Sequence, residues 1–404
     1  MKMTRREFVT RSVGGATLIA SGATLPGFLT RTALAASPDR DGRILVVIQL
    51  TGGNDGLNTV VPYRDDLYHR ARPTLRVTDQ LALPLEMDMG LHPDMSGFKR
   101  LFDDGLLSVI NNVGYPNPNR SHFQSMDIWH TASMSPETAD DGWLGRVVDA
   151  KTTPGAPPYA LHIDDAALPL ALRTRETPTP SIRSVEAFQL ADENSAVESA
   201  IAAIRQSASD DLLFVQRLAV ESCRNARRIE QVANDVGAST ATYPDYRLAA
   251  RLRQVAQLIG AGFGPRVYYT SIDGFDTHAQ QALSHGTLLR ELADSVAAFV
   301  DDLRARGLLD RVAIMTFSEF GRRLNENAGQ GTDHGAAAPM FLISSDARPG
   351  VHGGAPDLTN LLDDDLRHRV DFRSVYAGVL KNWLQVDHRA VLGDFAPMRG
   401  VWSA

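Results

Sequence analysis

The sequence predicts an α/β protein in which a mostly parallel sheet is flanked by helices on both faces, with a helical or irregular insertion in the middle of the chain. Two observations predict this class. Several runs are almost continuously apolar, as strands covered by helices on both faces must be. A helix-patterned segment separates two of these runs and completes a β-α-β unit, which favours parallel strands. The runs span residues 43–50, 106–113, 266–272, 311–317 and 339–344.

The helix-patterned segment covers residues 285–307. Its apolar residues, from Leu288 to Leu303, recur at the spacing of a helix that buries one face. Gly307 is placed to end this helix, because glycine readily adopts the left-handed conformation found after a helix C-terminus. We therefore expect one long helix between the third and fourth strands.

The middle of the chain has a different pattern. Residues 150–190 are rich in proline and threonine and contain one short strand-like run at 159–163, whereas residues 191–262 carry mostly helical patterns. Strands of the same type flank this region on both sides. We therefore interpret residues 150–262 as an elaboration of one domain that spans residues 41–404.

The first 35 residues have the composition of an export signal. Arg5 and Arg6 form a pair, a mildly apolar run extends from Val13 to Leu29, and "ALA" at residues 33–35 offers a cleavage site. This pattern predicts a twin-arginine signal, hence a periplasmic or otherwise exported protein that uses the twin-arginine export machinery. An ordinary secretory signal and an uncleaved anchor are the alternatives. No later segment has the uncharged length of a membrane span, so we expect no permanent anchor.

The net charge argues against nucleic-acid partners, and the cysteine content excludes stabilisation by an intramolecular disulfide. The formal net charge is −7, and the signal carries a net +4, so the rest of the chain carries −11. An acidic surface repels phosphate backbones, so we expect no nucleic-acid partner. Cys223 is the only cysteine, so no intramolecular disulfide can form. Stability must therefore come from the core.

Polar side chains suited to catalysis or metal binding follow the first four predicted strands, and one pair precedes the fifth. In a doubly wound sheet such groups meet at the carboxyl ends of the strands. They are Asp55 after the first strand, Arg120, Ser121 and His122 after the second, Asp273, Asp276 and His278 after the third, Ser318, Glu319 and Arg322 after the fourth, and Asp333 and His334 before the fifth. Carboxylates and imidazoles together predict one or two divalent ions, with Zn²⁺, Mn²⁺ and Mg²⁺ all open.

Each of these groups also has a purely structural interpretation. The "GGNDG" segment around Asp55 is typical of a tight turn, and Asp276 could cap a helix. Glu319 and Arg322 could form a solvated pair one helical turn apart. Histidines such as His122, His130 and His285 are more often packed or on the surface than bound to metal. His334 is the strongest candidate ligand.

The motifs of the chain resemble one family. "RREF" with an export signal, "GGNDGLNTVVPY", "SHFQSMDIW", "GWLGR", "GFDTHAQQ", "FSEFGRR" and "GTDHGAAAPMF" occur in that order along nearly the whole chain after the signal. Together they resemble the domain-of-unknown-function 1501 family of exported proteins. That family is similar in fold to the alkaline-phosphatase superfamily, which includes phosphatases and sulfatases.

The resemblance implies roles for individual residues. Asp55 corresponds to a metal ligand after the first strand, and Ser121 to a nucleophile at a helix start. Asp273 or Asp276 would bind a metal with His278, and His334 would be the late histidine of the same site. The chain departs from the superfamily at Glu319, which is followed by Phe320 where an adjacent Asp-His pair usually binds the second metal. Cys223 begins "CRNAR", which lacks the proline of the sulfatase motif.

Two functions remain open from the sequence. The first is a metal-dependent hydrolase of small or polymeric phosphate or sulfate esters, in which Arg120 or Arg322 would clamp the non-reacting oxygens. The second is a non-catalytic binding or assembly protein on a decayed hydrolase fold, which the missing histidine after Glu319 favours. An oxidoreductase has less support, since neither a dinucleotide-binding motif nor a cysteine cluster occurs.

Overall fold

The strands form where the sequence is most continuously apolar. The computed structural model describes residues 42–152, 158–177, 179–183 and 241–402. In chain order the strands are β1 (Ile44–Leu50), β2 (Val60–Val61), β3 (Leu83–Pro84), β4 (Gly90–Leu91), β5 (Leu107–Gly114), β6 (Ala160–Ile163), β7 (Ser181–Ile182), β8 (Val267–Ile272), β9 (Val312–Phe317), β10 (Arg322–Glu326), β11 (Thr332–His334), β12 (Ala338–Ile343), β13 (Gly350–His352), β14 (Leu361–Leu362), β15 (Asp365–Leu366) and β16 (Val370–Asp371).

The helices alternate with the longer strands. They are α1 (Gly56–Thr59), α2 (Asp66–Ala71), α3 (Ser96–Asp103), α4 (His122–Thr131), α5 (Trp143–Lys151), α6 (Arg247–Gly260), α7 (Gln281–Ala305), α8 (Phe372–Gly378) and α9 (His388–Leu392). Short 3-10 helices cover Pro136–Thr138, Leu170–Leu172 and Leu309–Arg311, and a short π-helix covers Val379–Trp383. No helix within the described ranges combines the length and apolar character needed to cross a membrane.

The central sheet is mixed and mostly parallel. Its strand order is β13-β5-β12-β9-β1-β8-β6-β7, with β16 also paired to β5. The strand β1 lies parallel to both β8 and β9, so that Ile48 faces Thr270 on one side and Thr316 on the other. The exception is β12, which runs antiparallel to β9 and to β5. The sheet class predicted from the sequence is confirmed.

Helices cover both faces of the sheet. Alternate residues of a strand point to opposite faces, so Leu45 and Val47 pack in one apolar core and Val46 and Ile48 in the other. The first core also contains side chains of α4, α5 and α8, and the second contains side chains of α3, α6 and α7. Every residue of β1 is buried, which explains its continuous apolar run.

The predicted elements lie close to where the sequence placed them. The five apolar runs form β1, β5, β8, β9 and β12, and the run at 159–163 forms β6. The helix α7 begins four residues earlier than predicted, at Gln281, and Gly307 after it has a φ of +66°. The signal at residues 1–35 and the segment 184–240, which includes Cys223, lie outside the described residues.

The directions of the strands bring their polar flanks to one edge. The strands β1, β8 and β9 are parallel, and β5 has the same direction because both β5 and β9 are antiparallel to β12. The carboxyl ends of these four strands therefore share an edge with the amino end of β12. This geometry explains why a polar pair before the last strand joins groups that follow the others.

Candidate functional site

Arg322 connects the loops at this edge of the sheet. Its guanidinium is buried, and it donates to the carbonyl oxygens of Gly52 and Gly53 after β1 and of Phe275 after β8. It also donates to the carboxylate of Asp276 at 2.7 Å. All three guanidinium nitrogens donate to protein atoms, so Arg322 holds the loops together. This differs from the exposed pair or substrate clamp expected from the sequence.

The two glycines after β1 allow the loops to approach closely. Gly52 has a φ of +118°, and a Cβ atom there would lie 2.4 Å from the backbone nitrogen of Asp276. Gly53 has a φ of +76°, and its Cβ would lie 2.3 Å from the ring of Phe320. Side chains are excluded at both positions by backbone conformation and by space.

Three imidazoles surround the carboxylate of Asp276. The Nε2 atoms of His278 and His334 lie 3.0 Å and 3.2 Å from Asp276 Oδ1, and His122 Nε2 lies 3.5 Å from Oδ2. The ligand atoms of His122, Asp276 and His334 all lie within 4.8 Å of one another. His278 Nε2 is 2.9 Å from His334 Nε2. These four side chains come from the loop after β8, from β11 and from the first residue of α4.

The other ring nitrogen of each histidine contacts an oxygen. His334 Nδ1 lies 2.8 Å from the carbonyl oxygen of Arg120, which can only accept, so Nδ1 donates. His122 Nδ1 lies 2.9 Å from Glu319 Oε1, and His278 Nδ1 lies 3.3 Å from Asp333 Oδ1. A neutral imidazole that donates from Nδ1 carries its lone pair on Nε2. In this tautomer the three Nε2 lone pairs would be directed toward Asp276.

This arrangement concentrates electron density at one point. Two imidazole lone pairs 2.9 Å apart, next to a carboxylate, repel each other unless a proton or a cation lies between them. In the described part of the chain, the buried His122 Nε2 has no hydrogen-bond partner. The residues therefore fit a divalent cation, and imidazole-rich sets with a single carboxylate suit Zn²⁺ better than Mg²⁺.

The charges of the site follow from these contacts. Partial burial raises the pKa of Asp276, but the hydrogen bond from Arg322 and the positive charge of its guanidinium outweigh it and lower that pKa to about 2. The hydrogen bond to Glu319 raises the pKa of His122. Burial lowers the pKa of His334, which favours the neutral, ligand-competent imidazole. The carboxylate of Asp276 is therefore ionised at neutral pH.

Glu319 and Phe320 contact imidazole rings of the site. Glu319 is buried, and its Oε1 accepts from the backbone N–H of Gly52 and from His122. The ring of Phe320 packs 4.9 Å from that of His122 and 4.7 Å from that of His334, measured between centroids. Glu319 was predicted to be a ligand. Among the described residues it lies outside the group of converging ligand atoms, and its contact with the site passes through His122.

Asp55 occupies a separate, closed site. Its side chain is completely buried, and Oδ2 accepts from Arg72 and from Gln281, each at 2.5 Å. Burial raises the pKa of Asp55, but the positive charge of Arg72 outweighs it, and the pKa is lowered. The metal-binding role expected for Asp55 stays a prediction, because the carboxylate is neutralised here by an arginine and is absent from the described convergent group.

The remaining predicted residues lie around the rim of the site. Ser121 is the exposed N-cap of α4, one residue before His122, and its side chain makes no capping hydrogen bond. Arg120 donates from Nε to the buried Asp365 at 2.7 Å, so its guanidinium is held by the protein. Asp273 is exposed and lies outside the described convergent group, and Asp333 contacts only the far side of His278 within the site.

His122 is the site residue that sequence reasoning underweighted. Histidines in such a position usually pack or face solvent, and nothing in "SHFQSMDIW" shows which way a helix-start side chain points. Its place directly after Ser121, in the segment that follows the predicted strand at 106–113, was the available signal. Residues at the first turn of such a helix lie at the ligand-binding edge of the sheet.

Comparison with known proteins identifies the family. The model of a family described as "Protein of unknown function (DUF1501)" matches residues 108–396. The chain belongs to the DUF1501 family, as its motifs indicated. No curated protein matches the chain.

Several solved structures are similar in fold at low identity. The zinc complex of the periplasmic domain of EcEptC from Escherichia coli has 10% identity and a TM-score of 0.38, covering 77% of this chain and 75% of that chain. The PsFucS1 sulfatase from Pseudoalteromonas sp. has 10% identity and a TM-score of 0.36, covering 81% and 68%. An alkaline phosphatase superfamily protein from Vibrio parahaemolyticus has 7% identity and a TM-score of 0.33, covering 81% and 70%.

Proposed function

We propose that this DUF1501 protein is an exported, metal-dependent hydrolase of phosphate or sulfate esters. Asp276, His278, His334 and His122 would hold one divalent ion, and Zn²⁺ fits the donor set best. The observation that carries the proposal is the convergence of three Nε2 atoms on one ionised carboxylate, with each Nδ1 engaged by an oxygen. Export by the twin-arginine route to the periplasm is part of the proposal and is supported by residues 1–35 alone.

A bound divalent ion would supply positive charge that polarises the ester. The chain itself offers an anion-binding position next to the histidines. The N–H groups in the first turn of α4 have no partner within the helix, and together with the helix dipole they favour a negatively charged ligand. Ser121 stands at this helix end with an exposed hydroxyl, which makes it the candidate nucleophile.

Hydrolysis is tested by turnover of aryl phosphate, phosphodiester and sulfate-ester substrates by the mature protein loaded with Zn²⁺. We expect His334→Ala to lose both bound metal and turnover, and Ser121→Ala to lose turnover while keeping the metal. His352→Ala is the matched control, since His352 lies on the outer strand β13 and its ring hydrogen-bonds to the carbonyl oxygen of Arg348. Wild-type rates in both site variants would remove the proposal.

A second candidate function is a metal-dependent binding or assembly protein without turnover. The observation that favours it is that charged groups expected to act in catalysis form ion pairs with other residues of the protein. Arg322 and Arg120 are paired with Asp276 and Asp365, and Asp55 is paired with Arg72. These pairs leave one ion site formed by the described residues. This candidate predicts ligand or partner binding that requires metal, survives Ser121→Ala and is lost in His334→Ala.

A further inference from the structure

Glu319 is held in a fixed position beneath the site. Its side chain is 1% exposed, and its Oε1 accepts the backbone N–H of Gly52 at 2.9 Å. Its Oε2 lies 3.1 Å from the hydroxyl of Ser318. A buried carboxylate with such partners cannot change rotamer without losing a hydrogen bond in the interior. Glu319 is therefore a rigid acceptor.

The same residue also fixes the helix that carries His122. The backbone carbonyl of Glu319 accepts from the hydroxyl of Ser125 in the first turn of α4 at 2.5 Å. Phe320 packs against the ring of His122. The start of α4 is thus attached to the end of β9 by the backbone, the side chain and the neighbouring ring, which leaves the imidazole one orientation.

The contact between Glu319 and His122 determines the tautomer of the imidazole. A carboxylate only accepts, so at 2.9 Å it selects the form with a proton on Nδ1 and a lone pair on Nε2. That Nε2 is buried, is directed toward Asp276 at 3.5 Å and has no hydrogen-bond partner among the described residues. A carboxylate on the far nitrogen of a ligating histidine fixes its orientation and increases its basicity.

We infer that Glu319 is a positioning residue that holds His122 as the Nδ1–H tautomer, so that His122 and not Glu319 is the ligand contributed at this side of the site. The inference rests on the proposed metal-dependent function. It specifies how the fourth proposed metal ligand, His122, is oriented and which tautomer it adopts. It also accounts for the Glu-Phe sequence at positions 319 and 320, since both side chains act on the imidazoles rather than on the ion.

The test is a double-mutant cycle on the mature protein, with Glu319→Gln, His122→Ala and the double variant. Zinc affinity is measured by competition with a chromogenic chelator. We expect Glu319→Gln to weaken zinc binding about 10–100-fold, as is usual for such supporting groups. In the His122→Ala background the same change should have less than about a 2-fold effect, because the residue through which it acts is absent. Glu326→Gln, a charge-neutralising change on β10 whose native carboxylate accepts from Thr74 and Leu75, is the matched control.

A loss of the same size in both backgrounds would overturn the inference, as would wild-type affinity in Glu319→Gln. The tautomer provides a second readout that does not require metal. In the ¹⁵N NMR spectrum of the metal-free protein we expect His122 to carry its proton on Nδ1, and an Nε2–H form would overturn the inference. If the wild type binds no zinc, the proposed function fails, and the NMR tautomer alone then decides the role of Glu319.

Discussion

Two aspartates follow neighbouring parallel strands and yet have opposite environments. Asp55 follows β1 and Asp276 follows β8, and these strands are paired from Leu45 and Val267 to Leu50 and Ile272. The side chain of Asp55 is completely buried, whereas that of Asp276 is 46% exposed. Each receives an arginine, but Asp55 is enclosed by Arg72 and Gln281, while Asp276 faces three histidine Nε2 atoms.

The two carboxylates differ in the groups that surround them. Around Asp55 the charge is neutralised by Arg72, and Gln281 is a second donor to Oδ2, whereas Oδ1 has no hydrogen-bond partner among the described residues. The neighbouring His285 donates its Nε2–H to Asn54 Oδ1. Around Asp276 three histidine Nε2 atoms converge on the carboxylate, and each Nδ1 contacts an oxygen atom of another residue. On the proposed function, similar residues at one sheet edge would serve stability in the closed cluster around Asp55 and metal binding in the open cluster around Asp276.

The largest expected effect is on the closed cluster. Arg72→Met should lower the free energy of unfolding by about 3–5 kcal/mol, because it leaves the carboxylate of Asp55 buried without a counter-charge. It also removes donors to the carbonyls of Leu324 and Arg323. Urea unfolding measures the loss, and the folded fraction should still bind zinc. A stable variant that has lost its metal would place Asp55 in the metal site and break the comparison.

The next effect is on the open cluster. Asp276→Asn should weaken zinc binding at least about 100-fold, or about 2.7 kcal/mol, because the amide lacks the charge that balances the ion. Stability should change little, since the side chain is half exposed and the amide oxygen can still accept from Arg322. Chelator competition and thermal unfolding measure the two quantities. Asp357→Asn is the control for loss of an exposed carboxylate that caps a turn elsewhere.

Two buried histidines should make the stability of the protein depend on pH. Burial lowers the pKa of His130 and of His285 to about 3, whereas unfolded histidine titrates near 6.5. Between these values the unfolded state binds more protons, so stability is complete above about pH 6.5 and is lost as the pH falls. Each residue should contribute roughly a 2 kcal/mol loss between pH 7 and pH 5.

Replacement of one buried histidine isolates its contribution. His130→Gln can keep an amide donor to Gln49, which His130 Nε2 contacts at 2.8 Å, but it cannot titrate. Urea unfolding of metal-free protein at pH 7 and pH 5 should show a smaller pH effect in this variant. An unchanged effect would mean that other groups account for the acid sensitivity.

The smallest effect is expected at an exposed neighbour of the site. Phe123 follows His122 in α4 and is 84% exposed, so Phe123→Ala should change the free energy of unfolding by less than about 0.5 kcal/mol. Zinc affinity should also stay at the wild-type value, because the neighbouring His122 is held from the other side by Glu319 and Phe320. A marked loss of either would show that the open cluster depends on an apolar cover.

The sequence predicted much of the fold and the edge of the sheet where polar groups gather. The apolar runs identified the principal strands, and the polar residues after them identified the edge where Asp276, His278 and His334 meet. The roles of the surrounding charges were not readable, because an aspartate after a strand looks the same whether an arginine or an ion neutralises it. Arg72 lies 17 residues after Asp55, in a stretch that shows no sign of the pair.

The sequence by itself therefore determined the sheet, its flanking helices and the edge at which polar groups gather, because burial on two faces and helical spacing are local patterns. Only the tertiary structure decided which carboxylate is closed by Arg72 and which is left open to three imidazoles. It also decided that Glu319 contacts His122, and that Arg322 connects the loops. These outcomes depend on the directions of buried side chains from segments far apart in the chain, which packing selects and no local pattern encodes.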